Sequence, residues 1–159
     1  MYSSLKGPGE YAILCHLPAK VVVMSDATTV LLIDDDSHYR DYHAQRLYAL
    51  AGHYDVVHAA NGRSGLDICA RQPIDCVVLE IDLPDMSGFE VLAKLVPRTY
   101  RPAIAVVVLT RLSNPFLLDL AIKNGAQAAF HKIVKSSDLL EQSIVKAIAT
   151  VQIHNRLVS

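Results

Sequence analysis

The feature that most constrains the fold is a set of short apolar runs, each of which ends abruptly in a polar or charged residue. The central run, 77–79, is followed by Glu80 and then by Ile-Asp-Leu and Pro84. Three further runs have this form: 30–33 before Asp34-Asp35-Asp36, 105–109 before Thr110, and 128–131 before Lys132. Short, continuous runs rich in Val, Ile and Leu are typical of strands buried on both faces of a parallel sheet.

Caps and helix breakers predict a helix after each strand. Ser37 has the residue type of an N-cap, Asn114 and Pro115 fit an N-cap and a first helical position, and Pro73 and Gly52 act as stops. The predicted strands are 30–33, 54–60, 76–79, 103–109 and 128–131, and the predicted helices run over about 37–51, 62–72, 88–96, 115–125 and 136–154. Strands that alternate with helices in this way form a parallel sheet with helices on both faces. We therefore expect a doubly wound α/β domain with a five-stranded parallel sheet.

Polar residues directly follow the predicted strands, and the carboxyl ends of parallel strands share one edge of the sheet, where doubly wound domains bind ligands. Asp34 and Asp35 offer oxygen ligands to a hard cation such as Mg²⁺, and Glu80 would complete an acidic pocket. The hydroxyl of Thr110 and the ammonium of Lys132 suit phosphoryl oxygens. A cation, Lys132 or a proton must offset the carboxylates, which would otherwise repel one another.

Four segments carry a resemblance to a known family. They are Leu-Leu-Ile-Asp34-Asp35-Asp36-Ser, Val-Val-Leu-Glu80-Ile-Asp-Leu-Pro84-Asp-Met-Ser-Gly88, Val-Val-Leu-Thr110 and Gly125-Ala126-Gln-Ala-Ala-Phe-His-Lys132. In this order and spacing they resemble the receiver domain of two-component response regulators over residues 30 to about 150. The resemblance implies a flavodoxin-like (βα)5 fold with strand order 2-1-3-4-5. It also implies an aspartate after the third strand that accepts a phosphoryl group from a histidine kinase, Mg²⁺ held by the acidic pair, and a hydroxyl and a lysine that read the phosphate.

The sequence departs from the family pattern at four positions. The phosphoacceptor position is Glu80 instead of aspartate. Arg111 follows the switch hydroxyl, where the family normally has a small residue, and Ala129 stands at the aromatic switch position, although Phe130 lies beside it. Ile133 replaces the usual proline after the lysine. Since a non-proline cis bond costs about 2.5–4 kcal/mol, the bond before Ile133 is expected to be trans.

These departures favour a pseudo-receiver, in which the fold is kept for protein binding and phosphorylation is lost or bypassed. Glutamate is one methylene longer than aspartate, so the carboxylate of Glu80 extends toward the phosphoryl position. There it can bind Thr110 and Lys132 without any phosphate. Arg111 is placed either to pair with Glu80 or to crowd the entrance.

Two other functions remain open from the sequence. The first is a receiver that still accepts phosphate, at Glu80 or at Asp82, with Mg²⁺; the sequence leaves open whether metal binding survives. The second is a phosphatase of the haloacid dehalogenase type, with Asp34 as nucleophile and Asp36 as acid. That family needs a further acidic motif after the lysine, which Asp138 alone does not supply. We expect a signalling protein that is not an enzyme.

The properties of the whole chain agree with a signalling domain that works through protein partners. Of 159 residues, 52% are hydrophobic and 19% charged, and the formal net charge of −1 gives no basic excess that would indicate nucleic acid. No apolar run is long enough to span a membrane. We expect a histidine kinase or a downstream effector to bind the face formed by residues 113–154, which also makes a homodimer feasible.

The domain boundaries follow from where the strand–helix pattern begins and ends. We predict an N-terminal extension at 1–28, a receiver-like domain at 29–154 and a C-terminal tail at 155–159, with Met24 as an alternative start. Cys15, Cys69 and Cys76 form no zinc-type motif. Cys69 and Cys76 lie within apolar patterns and are expected to be buried free thiols, which suits a reducing cytoplasm.

Overall fold

A five-stranded parallel sheet lies at the centre of the computed structural model, which describes residues 27–50, 53–132 and 136–158. The strands of the described chain are β1 (Thr28–Ile33), β2 (Tyr54–Ala59), β3 (Cys76–Leu79), β4 (Ala105–Thr110) and β5 (Ala128–His131). Its helices are α1 (Ser37–Ala49), α2 (Gly62–Arg71), α3 (Gly88–Leu95), α4 (Pro115–Lys123) and α5 (Ser136–Val158). The strand order is β2-β1-β3-β4-β5 and every neighbouring pair is parallel, which confirms the flavodoxin-like fold.

Side-chain alternation along the strands divides the core into two layers. Leu31 and Ile33 of β1 pack with α2, α3 and α4 on one face, whereas Val30 and Leu32 pack with α1 and α5 on the other. Strands β3 and β4 alternate in the same way, and every residue of both is buried. Their continuous apolar sequence is therefore explained by helices that cover both faces of the sheet.

The first helix begins differently from the prediction. Asp36, not Ser37, is the N-cap of α1, and its side chain accepts hydrogen bonds from the backbone N–H groups of His38 and Tyr39. Aspartate and serine cap helices about equally well, so residue type alone could not choose between adjacent positions. The helix ends at Ala49, with Leu50 as C-cap, while the predicted stop at Gly52 lies outside the described residues.

Other element boundaries move by a few residues. Strand β1 starts at Thr28, two residues before the predicted start, and β4 covers 105–110 instead of 103–109, so Thr110 is its last residue. Helix α5 continues to Val158, beyond the predicted end near His154 and through most of the predicted tail. The cap at Asn114 and Pro115 at the start of α4 are as expected, and Asn61 is the N-cap of α2.

Gly88 fixes how closely α3 approaches the sheet. A Cβ atom at this position would lie 2.4 Å from the carbonyl oxygen of Glu80 and 2.6 Å from Cα of Ile81. The backbone N–H of Gly88 donates to the Ile81 carbonyl at 2.8 Å. Ser87 and Glu90 form a capping box at the start of α3. The segment that follows Glu80 is thus held against the first turn of α3.

Several predictions concern residues that the structure does not describe. The extension 1–28 lies outside it except for its last two residues, and so do Met24, Cys15 and Ile133 with its peptide bond. Within the described chain, Cys76 is a fully buried free thiol and Cys69 a half-buried one. None of the helices in the described ranges combines the length and the apolar character needed to cross a membrane.

Candidate functional site

The predicted site residues converge at the carboxyl edge of the sheet. The backbone N–H of Glu80 donates to the carbonyl of Ile33 at 2.9 Å, and that of Lys132 donates to the carbonyl of Thr110 at 2.8 Å. These bonds extend the β1–β3 and β4–β5 pairings past the last strand residues, so the side chains that follow the strands become neighbours. Asp34, Glu80, Thr110 and Lys132 form a buried group, which we call the inner cluster. Asp35, Asp82 and Arg111 form a more exposed group around it, which we call the rim.

Glu80 lies at the centre of the inner cluster, and its side chain is fully buried. One carboxylate oxygen, Oε1, accepts hydrogen bonds from Thr110 Oγ1 at 2.5 Å and from the backbone N–H groups of Ile81 and Asp82 at 2.7 and 3.0 Å. The other, Oε2, accepts from the backbone N–H of Arg111 at 3.1 Å and lies 3.0 Å from Lys132 Nζ. Both oxygens of Glu80 are thus engaged by donors of the protein itself.

Lys132 links the two acidic positions of the inner cluster. Its ammonium forms an ion pair with Asp34 and a second with Glu80, and only 6% of its side chain is exposed. The ring of Tyr39, in the first turn of α1, lies 4.2 Å from Nζ and adds a cation–π contact. The lysine is therefore held on three sides by β1, β3 and α1.

Burial and hydrogen bonding act against each other on these charges. Burial by itself would raise the pKa of Glu80, but hydrogen bonds from Thr110, the Asp82 amide and Lys132 outweigh it, so this pKa lies below its ordinary value. Burial would likewise lower the pKa of Lys132, but hydrogen bonds to Asp34 and Glu80 raise it above its ordinary value. For Asp34, burial raises the pKa more than Lys132 and the Asp36 amide lower it. Glu80 and Lys132 are consequently a charged pair at neutral pH.

The acidic run after β1 divides into three separate roles. Asp34 accepts a hydrogen bond from the backbone N–H of Asp36, and its carbonyl accepts one from Arg40 Nη1. Asp35 belongs to the rim, and Asp36 caps α1. The phosphatase interpretation requires Asp36 as the acid beside the nucleophile, but here its carboxylate is turned to the amides of α1. The structure therefore offers no support for that alternative.

Arg111 contacts the rim carboxylates through its guanidinium. Nη2 lies 3.1 Å from Asp35 Oδ1 and 3.0 Å from the backbone carbonyl of Asp82, and Nε lies 3.3 Å from Asp82 Oδ2. The expected pairing of the Arg111 side chain with Glu80 is corrected accordingly, since Glu80 receives only the backbone N–H of this residue. The second alternative, crowding of the entrance, stays a prediction.

The switch position on β5 is occupied by a residue with a small side chain, Ala129. Ala129 packs against the same core layer as Val108, whereas Phe130 packs into the opposite layer with Leu109. Because successive strand residues point to opposite faces, the ring of Phe130 cannot take the place of a side chain at 129. Thr110 therefore has no aromatic neighbour at the register position where the family carries its switch.

Three residues of α1 contribute to the site and were not predicted to do so. Tyr39 contacts Lys132, Arg40 binds the Asp34 carbonyl, and His43 lines a cavity of about 10 Å³ beneath Asp34 and Glu80. His43 is 3% exposed, and its ring nitrogens have no hydrogen-bond partner within the described chain. Burial, together with the charges of Lys132 and Arg46, lowers its pKa from 6.5 to about 4. Their position in the sequence could have identified these residues, because the first turns of a helix that follows a strand lie at the same edge of the sheet as the end of that strand.

The arrangement does not fit Mg²⁺ as the acidic residues alone would suggest. Both oxygens of Glu80 are engaged by protein donors, and the Asp35 carboxylate is paired with Arg111. No group of three or more His, Cys, Asp or Glu side chains in the described ranges has the geometry to hold a metal ion. The cations of the site are provided by Lys132 and Arg111.

Curated proteins similar to this chain come from several signalling systems. A probable cyclic di-GMP phosphodiesterase of Vibrio cholerae is 36% identical over 98 residues, which are 62% of this chain and 22% of that protein. The nitrate/nitrite response regulator NarL of Escherichia coli is 29% identical over 117 residues, which are 73% of this chain and 53% of NarL. The chain thus spans about a fifth to a half of the length of these relatives.

Solved structures share both the fold and the extent of the domain. A CheY-like receiver domain from Methanospirillum hungatei has a TM-score of 0.68 and 28% identity, covering 79% of this chain and 97% of its own. The receiver domain of a LuxO-type repressor from Vibrio parahaemolyticus has a TM-score of 0.72 at 22% identity, which shows the fold alone. The response regulator receiver domain family matches residues 30–144. The four motifs, the strand order and this match agree, and the chain belongs to the response regulator receiver domain family.

Proposed function

We propose that this receiver domain signals without phosphorylation, through protein contacts, and that Glu80 replaces the phosphorylated aspartate. The observation that carries the proposal is the hydrogen bond of 2.5 Å from Thr110 to Glu80, with Lys132 on the same carboxylate. In a working receiver, a hydroxyl and a lysine at these positions bind the incoming phosphoryl group. Here the permanent, buried negative charge of Glu80 is bound to both the hydroxyl and the lysine.

The absence of a suitable acceptor supports the same proposal. Glu80 is fully buried and accepts hydrogen bonds from protein groups at both oxygens, so a nucleophilic attack on a phosphodonor would first have to break these bonds. Asp82, the alternative acceptor, lies beyond the strand, and its side chain is half exposed and paired with Arg111. Neither carboxylate is positioned to receive a phosphoryl group between Thr110 and Lys132.

The proposed output surface is the face formed by residues 113–154, where α4, β5 and α5 lie. Several large apolar side chains on this face are exposed: Phe116, Leu120, Ile122, Leu139 and Val145. Exposed apolar side chains of this kind suit a protein partner, such as a histidine kinase, an effector or a second copy of the chain. We place the protein in the cytoplasm, in line with the free thiols Cys69 and Cys76, and assign it no enzymatic activity, nucleic-acid binding or membrane binding.

The decisive experiment is to incubate the wild-type protein with acetyl phosphate and Mg²⁺ and to measure its intact mass. We expect no phosphoryl adduct. The double variant Glu80→Asp/Arg111→Ala restores the residue types usual in the family at both positions and serves as the reference for a reactive site. An adduct on the wild type that disappears in Glu80→Gln or in Asp82→Asn would instead establish a phosphate-accepting receiver at that residue.

A second measurement tests the link from Glu80 to the output face. Thr110→Val removes the hydroxyl that binds Glu80 but keeps the shape of the side chain. We expect it to shift backbone amide resonances of α4 and β5, while addition of the phosphodonor leaves the wild-type spectrum unchanged. A Thr110→Val spectrum altered only at the site itself would contradict coupling between Glu80 and the 113–154 face.

A further inference from the structure

The guanidinium of Arg111 lies where oxygen atoms of two different kinds converge. Nη2 is 3.1 Å from Asp35 Oδ1, 3.4 Å from Asp35 Oδ2 and 3.0 Å from the backbone carbonyl oxygen of Asp82. Carboxylate and backbone carbonyl oxygens are the ligands that hard divalent cations take in proteins. A positively charged nitrogen of the protein thus occupies a position surrounded by metal-type ligands.

The charges of the site divide between two cations. Lys132 is buried between Asp34 and Glu80 and forms ion pairs with both. It leaves the outer carboxylates, Asp35 and Asp82, to be balanced separately, and Arg111 forms ion pairs with both of these. Each acidic pair therefore has its own basic side chain, which offsets one of the two negative charges of that pair.

The chain geometry holds Arg111 in this place. Its backbone N–H donates to Glu80 Oε2 at 3.1 Å, directly after the last residue of β4. The guanidinium then reaches across the edge of the sheet to Asp35, which follows β1, and to Asp82, which follows β3. Arg111 is thus anchored to Glu80 by its backbone and to Asp35 and Asp82 by its side chain.

We propose that Arg111 is a built-in cation that takes the place of a divalent metal ion, so that this receiver is independent of Mg²⁺ and removal of the Arg111 side chain exposes a latent divalent-cation site. The proposal concerns the same site as the proposed function but does not depend on it, because metal binding is measured without phosphodonor or partner. The ligands of the exposed site would be oxygen atoms of Asp35 and Asp82, with water filling the remaining positions.

The test is a titration of the full chain with MgCl₂ by calorimetry, and with MnCl₂ by electron paramagnetic resonance, for the wild type and Arg111→Ala. Exposed ion pairs contribute only modestly to stability, so the loss of those made by Arg111 should not disturb the fold. We expect the variant to bind either ion at least about tenfold more tightly than the wild type, which corresponds to about 1.4 kcal/mol of binding free energy. Arg98→Ala, which removes an equally charged, exposed side chain away from the site, is the matched control and should leave metal affinity as in the wild type.

Two further variants make the result specific. Arg111→Ser, measured in parallel, should show the same gain and guards against a folding defect of the alanine variant. Asp35→Asn combined with Arg111→Ala should lose the gain in metal affinity, because it removes the carboxylate to which the guanidinium is bound in the wild type. Equal affinities of wild type and Arg111→Ala, a gain of equal size in Arg98→Ala, or a gain that persists with Asp35→Asn would each overturn the proposal.

Discussion

The inner cluster and the rim lie at the same edge of the sheet and both combine acidic with basic side chains, yet they differ in their access to water. The side chains of Glu80, Lys132 and Asp34 are 0%, 6% and 11% exposed, whereas those of Asp35, Arg111 and Asp82 are 35%, 43% and 55% exposed. A buried charge depends on its partner because water cannot replace it. Two exposed charged side chains are solvated and screened whether or not they pair, so their pairing contributes little to stability. The inner cluster should therefore determine stability, and the rim should determine access.

The largest effect should come from breaking the inner cluster at its cation. Lys132→Met leaves the carboxylates of Asp34 and Glu80 buried and uncompensated, so we expect a loss of about 3–5 kcal/mol in the free energy of unfolding, measured by urea denaturation. Lys146→Met, an exposed lysine on α5, is the matched control and should change stability by less than about 0.5 kcal/mol.

A second substitution separates charge from packing in this prediction. Adding Asp34→Asn to Lys132→Met removes one of the two uncompensated charges and should recover part of the lost stability. Equal instability of the single and double variants would show that packing of the lysine, not its charge, supports the cluster.

The next effect is a dependence of stability on pH, which comes from His43 beneath the inner cluster. The pKa of buried His43 falls from 6.5 to about 4, so between these values the unfolded chain binds more protons than the folded one, and stability must fall as the pH decreases. At about 1.36 kcal/mol per pH unit, the full contribution is about 3 kcal/mol, present above pH 6.5 and lost toward pH 4.

The measurement is a series of urea denaturation curves from pH 7 down to about pH 4, for which the wild type and His43→Phe are compared. The variant has no imidazole to titrate, so its stability should fall less over this interval. His58→Phe, at an exposed position of β2, should retain the wild-type pH dependence. Parallel curves for wild type and His43→Phe would contradict the depressed pKa.

The smallest effect should come from the rim. Arg111→Ala should change the free energy of unfolding by less than about 1 kcal/mol, because its ion pairs are exposed. At about 1 M NaCl, where charges are screened beyond about 3 Å, even this difference should disappear, while the effect of Lys132→Met should persist. A loss of several kcal/mol in Arg111→Ala would place the rim among the stabilising elements and remove the contrast with the inner cluster.

The sequence predicted the inner cluster better than the rim, for a physical reason. Asp34, Glu80, Thr110 and Lys132 end or follow buried strands, and parallel pairing brings such positions to one edge whatever their side chains do. Arg111 is likewise fixed in its backbone position, but its long side chain can reach several carboxylates, so its partners could not be chosen from the sequence.

The helix that follows β1 shows the same limit. Tyr39 lies in α1 among tyrosines at near-helical spacing, a pattern that usually indicates packing against other elements. Its contact with Lys132 depends on how α1 is rotated on the sheet, and that rotation follows from the N-cap at Asp36 and from the burial of Leu47 and Ala44. The sequence alone does not fix this rotation, so the contact between Tyr39 and Lys132 could not be predicted from it.

The pairing of Lys132 with Asp34 also has a consequence for the order in which the domain can fold. These residues are 98 positions apart, and they follow the last and the first strands in chain order. A contact of this separation closes a long loop, whose conformational entropy is lost before the contact can stabilise anything. Until β5 joins the sheet, β1 and β3 present Asp34 and Glu80 side by side with no basic side chain from residue 132. Arrival of the final strand therefore places a positive charge between the two carboxylates, which reduces their repulsion, and adds the last strand to the sheet.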